Sequence, residues 1–114
     1  MSDDLVLSTA SVATDRPGRY AKQLVAHLSR HSAGEWVEET GSGWIEFSEA
    51  KALLAAGDGT LGLTVQAKPD LLARFEDVVG RHLVRFGSRD ELVVIWHRAD
   101  GTQGTEQRHT AADD

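Results

Sequence analysis

Residues 69–98 read PDLLARFEDVVGRHLVRFGSRDELVVIWHR, and their change of period carries most of the fold. Leu72, Phe75, Val78, Val79, Leu83 and Phe86 recur at helical spacing. At about 100° per residue they share an arc of about 140°. The spacing predicts an amphipathic helix opened by Pro69 and closed by Gly87. Residues 91–98, ELVVIWHR, are then apolar nearly throughout and predict a strand in a central or doubly covered position. His82 falls inside the apolar arc of the helix, and Arg74, Arg81 and Arg85 form a stripe beside it.

Toward the N-terminus, residues 5–14 (LVLSTASVAT) are rich in β-branched types and predict a first strand. Thr14 or Asp15 is suited to cap a following helix, with Pro17 in its first turn. Tyr20, Ala21, Leu24, Val25 and Leu28 share one arc, so this helix should run from Pro17 to about His31, with Gly34 marking the stop. GEWVEET and WIEFSE, joined through Gly41-Ser42-Gly43, predict a hairpin, and AKALLAA and TLGLTVQA, joined through Gly57-Asp58-Gly59, predict a second. In the last of these strands Leu61, Leu63, Val65 and Ala67 alternate, which buries one face.

The element order is therefore β-α-ββββ-α-β. It implies an α+β two-layer sandwich, a mostly antiparallel sheet with two helices on one face, in a TATA-binding-protein-like layout. Residues 1–7 are expected to be a flexible N-terminus, 8–98 a single domain, and 99–114, which lack an apolar period, a disordered tail.

A length of 114 residues suits one modest core. The apolar share of 40% and charged share of 26% are ordinary for a globular chain, and a formal charge of −6 argues against nucleic acid as a partner. No cysteine is present, which removes disulfides, thiolate metal sites and thiol nucleophiles. With neither a signal-peptide pattern nor a membrane-length apolar run, the expectation is a cytoplasmic protein with no membrane partner.

Three stretches, VATDRPGRYAKQLVAHL (12–28), WIEF (44–47) and LLARFEDVVGRHLVRFGSRDELVVIWHR (71–98), give the chain a family resemblance. It resembles a bacterial family known as the domain of unknown function numbered 2218. The resemblance spans roughly residues 8–98 and brings no established reaction with it. Association of some relatives with siderophore-interacting flavoproteins implies an iron-uptake setting.

Candidate sites are few. His82 is either a ligand or base, or a core-edge ring bonded to a carbonyl or to a carboxylate such as Glu46. His27 and His31, four residues apart, share a helix face and with His82 form a weak set of metal candidates. Arg81 and Arg85 suit forked contacts to an anion, although Asp77 to Arg81 is also an ordinary i,i+4 pair. Trp36, Trp44 and Trp96 all fall in predicted strands, and Trp44 should point away from the core side that takes Ile45. Tryptophans on an uncovered sheet face mark a ligand surface or a self-association surface. Phosphate loops, serine elbows and convergent carboxylates are missing, so the reading leans away from an enzyme and implies no cofactor. The leading expectation is a non-catalytic binding or accessory domain in iron–siderophore handling. The alternatives are a homodimeric interaction module using the open sheet face and, more weakly, a histidine metal site.

Overall fold

The computed structural model describes residues 5–108, with His31 described by its backbone alone. The chain runs β1 (Val6–Ala13), α1 (Pro17–Leu28), β2 (Ala33–Val37), β3 (Ser42–Glu46), β4 (Ala50–Ala56), β5 (Thr60–Ala67), α2 (Leu72–Phe86), β6 (Val93–Arg98) and β7 (Gln103–Arg108). Single 3-10 turns precede β2, α2 and β6, at Ser29–His31, Pro69–Leu71 and Ser88–Asp90. All strands join one seven-stranded sheet in the order β2-β3-β4-β5-β1-β6-β7, and every neighbouring pair is antiparallel. The result is the expected α+β layout, consistent with the layering read from the sequence.

The alternation of the strands decides which face is covered. In β5, Leu61, Leu63, Val65 and Ala67 are buried while the residues between them are partly open. Ser8, Ala10 and Val12 of β1, Ala52 and Leu54 of β4, and Val94 and Trp96 of β6 continue that buried face. Leu24 and Val25 of α1 and Leu72, Val79 and Leu83 of α2 close over it in one core. Both helices therefore lie on this side, and among the described residues no helix covers the opposite face of the sheet.

Three local expectations are revised. The first helix stops at Leu28 and gives way to a 3-10 turn. Its N-cap position is Arg16, which makes no side-chain cap; the Thr14 hydroxyl instead accepts the Arg16 amide at 3.1 Å. The first hairpin turns through Glu38–Gly41, with Gly41 at φ 65°, and Ser42 and Gly43 already belong to β3.

The largest revision concerns the segment expected to be a disordered tail. Residues 103–108 form β7, an edge strand paired with β6 from Val93↔Arg108 to His97↔Gln103. Asp100-Gly101 makes the turn: Gly101 has φ 82°, and Asp100 Oδ1 accepts the Thr102 amide at 2.9 Å. The strand has no apolar period because its inward residues, Thr105 and Gln107, are polar and bond to the core instead of merely packing on it. Residues 1–4 and 109–114 lie outside the described residues.

Candidate functional site: the open face of the sheet

The uncovered face presents a register of cross-strand neighbours running over five strands. Trp44 of β3 faces Leu53 of β4, Leu53 faces Thr64 of β5, Thr64 faces Thr9 of β1, and Thr9 faces His97 of β6. One pair further along, the row is made of small residues: Ser42 faces Ala55, Ala55 faces Gly62, and Gly62 faces Ser11. A tall row beside a short one makes a depression. The groove holds about 560 Å³, walled by Trp44, Leu53, Thr64 and Thr9 and floored by Ser42, Ala55 and Gly62.

Among the described residues no ionisable side chain lines this groove. Its polar groups are the hydroxyls of Thr9, Ser42 and Thr64, and the rest is apolar. Leu7 and Ile95 stand on the same face as Leu53, at 43% and 45% exposure, and lie outside the groove, so the apolar surface extends past it. A Cβ added at Gly62 would meet only the Ala55 carbonyl oxygen, at 3.6 Å. The backbone there does not require glycine, and the missing side chain is what keeps the floor low. An isolated glycine inside a strand pattern is the sequence signal for such a close-approach position.

The tryptophans separate. Trp44 lies on the open face, as its alternation with Ile45 predicts. Trp96 is on the covered face at 2% exposure, and its indole donates to Gln107 Oε1 at 2.7 Å. Trp36 packs against the core from β2, and its indole donates to Glu38 at 3.1 Å. Only Trp44 of the three reaches the groove.

The helix candidates lie on the other side of the sheet. His82 is half-buried, and its Nδ1 sits 2.6 Å from the carbonyl oxygen of Val78, which is the core-edge reading with the carbonyl one turn back as partner. The His27 ring lies 4.9 Å from the His82 ring and 5.4 Å from Phe86, centroid to centroid. Desolvation, then the charges of His82, Arg30 and Arg85, hold His27 below the usual imidazole pKa. Those neighbouring cations also disfavour a metal at the pair. Among the described residues no group of three His, Cys, Asp or Glu side chains is placed to hold a metal, and the side chain of His31 lies outside the described residues. Arg81 pairs with Asp77 at 3.5 Å, both well exposed; Arg74 reaches Glu49 at 4.0 Å and lies over the Phe75 ring. Arg85 is exposed on the same helix. Arg81 and Arg85 thus do not join Trp44 in one site.

Residues 9–97 match the model of a family described as an uncharacterised protein conserved in bacteria, DUF2218. The chain belongs to that family. A similar solved structure is the NMR structure of PA4090 from Pseudomonas aeruginosa, 27% identical, covering 81% of this chain and 95% of its own, with a TM-score of 0.62. No match is found among curated proteins. Among the described residues no helix is long and apolar enough to cross a membrane.

This DUF2218 chain also holds a polar cluster that helix periodicity does not reveal. Glu76 on α2 is 0% exposed. Its carboxylate accepts Ser8 Oγ at 2.5 Å, Arg98 Nε at 2.9 Å and Nη2 at 3.0 Å, and the Thr105 amide and hydroxyl at 3.1 and 2.9 Å. Gln107 extends the chain, donating to Thr105 Oγ1 at 2.9 Å and accepting from Trp96. Burial alone would raise the Glu76 pKa; the bonds from Arg98, Ser8 and Thr105 more than reverse this and hold it below the usual carboxylate value. A carboxylate sealed from solvent with its lone pairs occupied is a fastening among β1, α2, β6 and β7. It is not available as a general acid or base.

Proposed function

We propose that this protein is a non-catalytic binding domain whose open sheet face holds a small, largely apolar and uncharged ligand. The observation that carries the reading is the groove over β3, β4, β5 and β1: its volume of about 560 Å³ falls in the range of small-molecule sites, roughly 300–1,000 Å³. Its lining, apolar apart from a few hydroxyls, orients a ligand but holds no imidazole, carboxylate or amine that would activate those hydroxyls. Trp44 offers an aromatic wall against which a flat group can stack.

Iron–siderophore handling in the cytoplasm is the setting suggested by the family resemblance, and the groove's lack of charge sharpens it. A neutral ferric hydroxamate complex can enter such a surface, whereas a triply anionic ferric catecholate would lose its hydration against groups that do not compensate it. Fluorescence titration of the protein with neutral ferric hydroxamates, haem and flavin tests this, with Trp44→Phe as the comparison. A saturable change that disappears in Trp44→Phe is expected. Flat titrations for every compound, or a response identical in the variant, would count against the groove.

A second reading rests on Leu53 of the groove wall together with Leu7 and Ile95, which extend the apolar face beyond the groove. Two copies meeting through these residues would form a homodimer. Sedimentation of the native chain and of Leu53→Lys separates the readings: a dimer dispersed by the lysine favours self-association, and a monomer in both cases favours the small ligand.

A further inference from the structure

A second cleft, of about 470 Å³, lies on the helix side of the molecule, between the first turn of α1 and the Ser88–Asp90 corner that follows α2. Its lining includes Arg16, Arg19 and Arg89 against a single carboxylate, Asp90. That carboxylate is already engaged, because the Tyr20 hydroxyl donates to Asp90 Oδ2. Among the described residues none of the three guanidinium groups forms an ion pair. Four other arginines do: Arg74 with Glu49, Arg81 with Asp77, Arg98 with Glu76 and Arg108 with Glu106.

The placement is unfavourable for the fold taken alone. The chain carries a formal charge of −6, yet three of its cations gather in a cleft that holds one carboxylate, Asp90. Arg16 and Arg19 also flank the start of α1, whose first turn holds no acidic residue. The amide groups at that end already make it positive, so cations there are repelled. Local choices that cost stability without a structural return are expected where a site is built. The Tyr20–Asp90 bond ties the corner to α1 and fixes the shape of the cleft. Its hydrogen bond to Asp90, then burial, raise the Tyr20 pKa, so the hydroxyl keeps its proton and goes on donating at neutral pH.

We infer that this cleft binds the oxyanion of a small organic molecule, a phosphate or carboxylate carried on a carbon body. The guanidinium forks of Arg16, Arg19 and Arg89 take the anion, and the half-buried Phe86 ring lies against the carbon portion. Guanidinium geometry matches both oxyanions with paired N–H donors. Gln23 and Ser88 supply neutral donors beside them. The volume leaves room for more than a bare anion.

Backbone-amide NMR of the full chain, titrated at constant ionic strength with inorganic phosphate, pyrophosphate and citrate, tests the inference. Saturable shifts confined to residues 16–23 and 86–90 are expected, and the relative strength of the phosphates and citrate tells which oxyanion is preferred. The double variant Arg19→Gln/Arg89→Gln should weaken binding by about tenfold or more, since a charged hydrogen bond contributes about that much. Its Tm should be unchanged or raised, because repulsion is relieved. Shifts that fail to saturate, or that appear equally around Arg74, Arg81 and Arg85, would overturn the inference. So would a double variant that binds as well as the native chain, or one with a lowered Tm, which would assign the arginines to the fold.

Discussion

Arg98 grips both oxygens of the buried Glu76 carboxylate, its Nε at 2.9 Å and its Nη2 at 3.0 Å, and so joins β6 to α2 beneath the edge strand β7. The Arg98 side chain is itself only 12% exposed. Two buried charges stabilise a fold only as a pair: removing one leaves the other desolvated and uncompensated.

Glu76→Gln should therefore destabilise the protein by about 3 kcal/mol, measured by urea unfolding at neutral pH. The native chain should also show an acid-sensitive contribution that the variant lacks. The folded pKa of Glu76 lies below its unfolded value of 4.5. Its stabilisation is complete above that value and is lost as pH falls through the lower folded pKa. Native and variant proteins with parallel stability profiles across that acid range would contradict this role.

Gly104 packs against the Trp96 carbonyl so closely that an added Cβ would collide with backbone, which cannot swing aside as a flexible side chain does. Gly104→Ala should cost about 1–3 kcal/mol and loosen β7 first. Hydrogen exchange would report it as faster exchange at residues 103–108, with the β4–β5 pairing unchanged. Unaltered exchange in β7 would mean that the strand yields without cost.

His27 gives the protein a mild sensitivity to acid. Its folded pKa lies below the unfolded value of 6.5 because of desolvation by its neighbours, then the charges of His82, Arg30 and Arg85. The unfolded chain therefore takes up the proton more readily. Stability is full above 6.5 and declines as pH drops toward the folded value. His27→Gln should retain more of its neutral-pH Tm under mildly acidic conditions than the native chain, by a small margin because the ring is exposed. Superimposable Tm–pH curves would exclude the effect.

Gly62→Val fills the groove floor with a residue that strands favour and that meets only ordinary contact at its Cβ. Its stability should be unchanged or higher by about 0.5 kcal/mol, while ligand response at Trp44 should be lost. Undiminished binding in a stable Gly62→Val protein would place the ligand elsewhere.

The parts of the fold legible in the sequence were those carried by apolar period: the alternating β5, the two amphipathic helices, and Trp44 facing away from the Ile45 side. β7 escaped because its inward positions are Thr105 and Gln107, which satisfy buried polar groups instead of burying apolar ones. The Asp100-Gly101 turn was the available signal, a strong hairpin dipeptide directly after an apolar strand. The buried face of α2 is rotated toward β7 relative to its apolar arc. The buried stripe includes Glu76 and Gly80, which read as polar and neutral until a strand carrying Thr105 and Gln107 lies over them; a Cβ at Gly80 would run into the Gln107 side chain. His82 and Phe86 consequently sit at the half-buried margin of the helix. The groove was legible only in part, since its floor depends on Ser42, Ala55 and Gly62 falling in register across three strands.

The most direct test of the binding account uses a neutral ferric hydroxamate as its own probe. High-spin ferric ion broadens amide resonances near it, and the gallium complex serves as a diamagnetic control. Broadening centred on Thr9, Trp44, Leu53 and Thr64 and lost in Gly62→Val is the predicted result. Broadening that is absent, uniform over the surface, or centred on the helix side would contradict it.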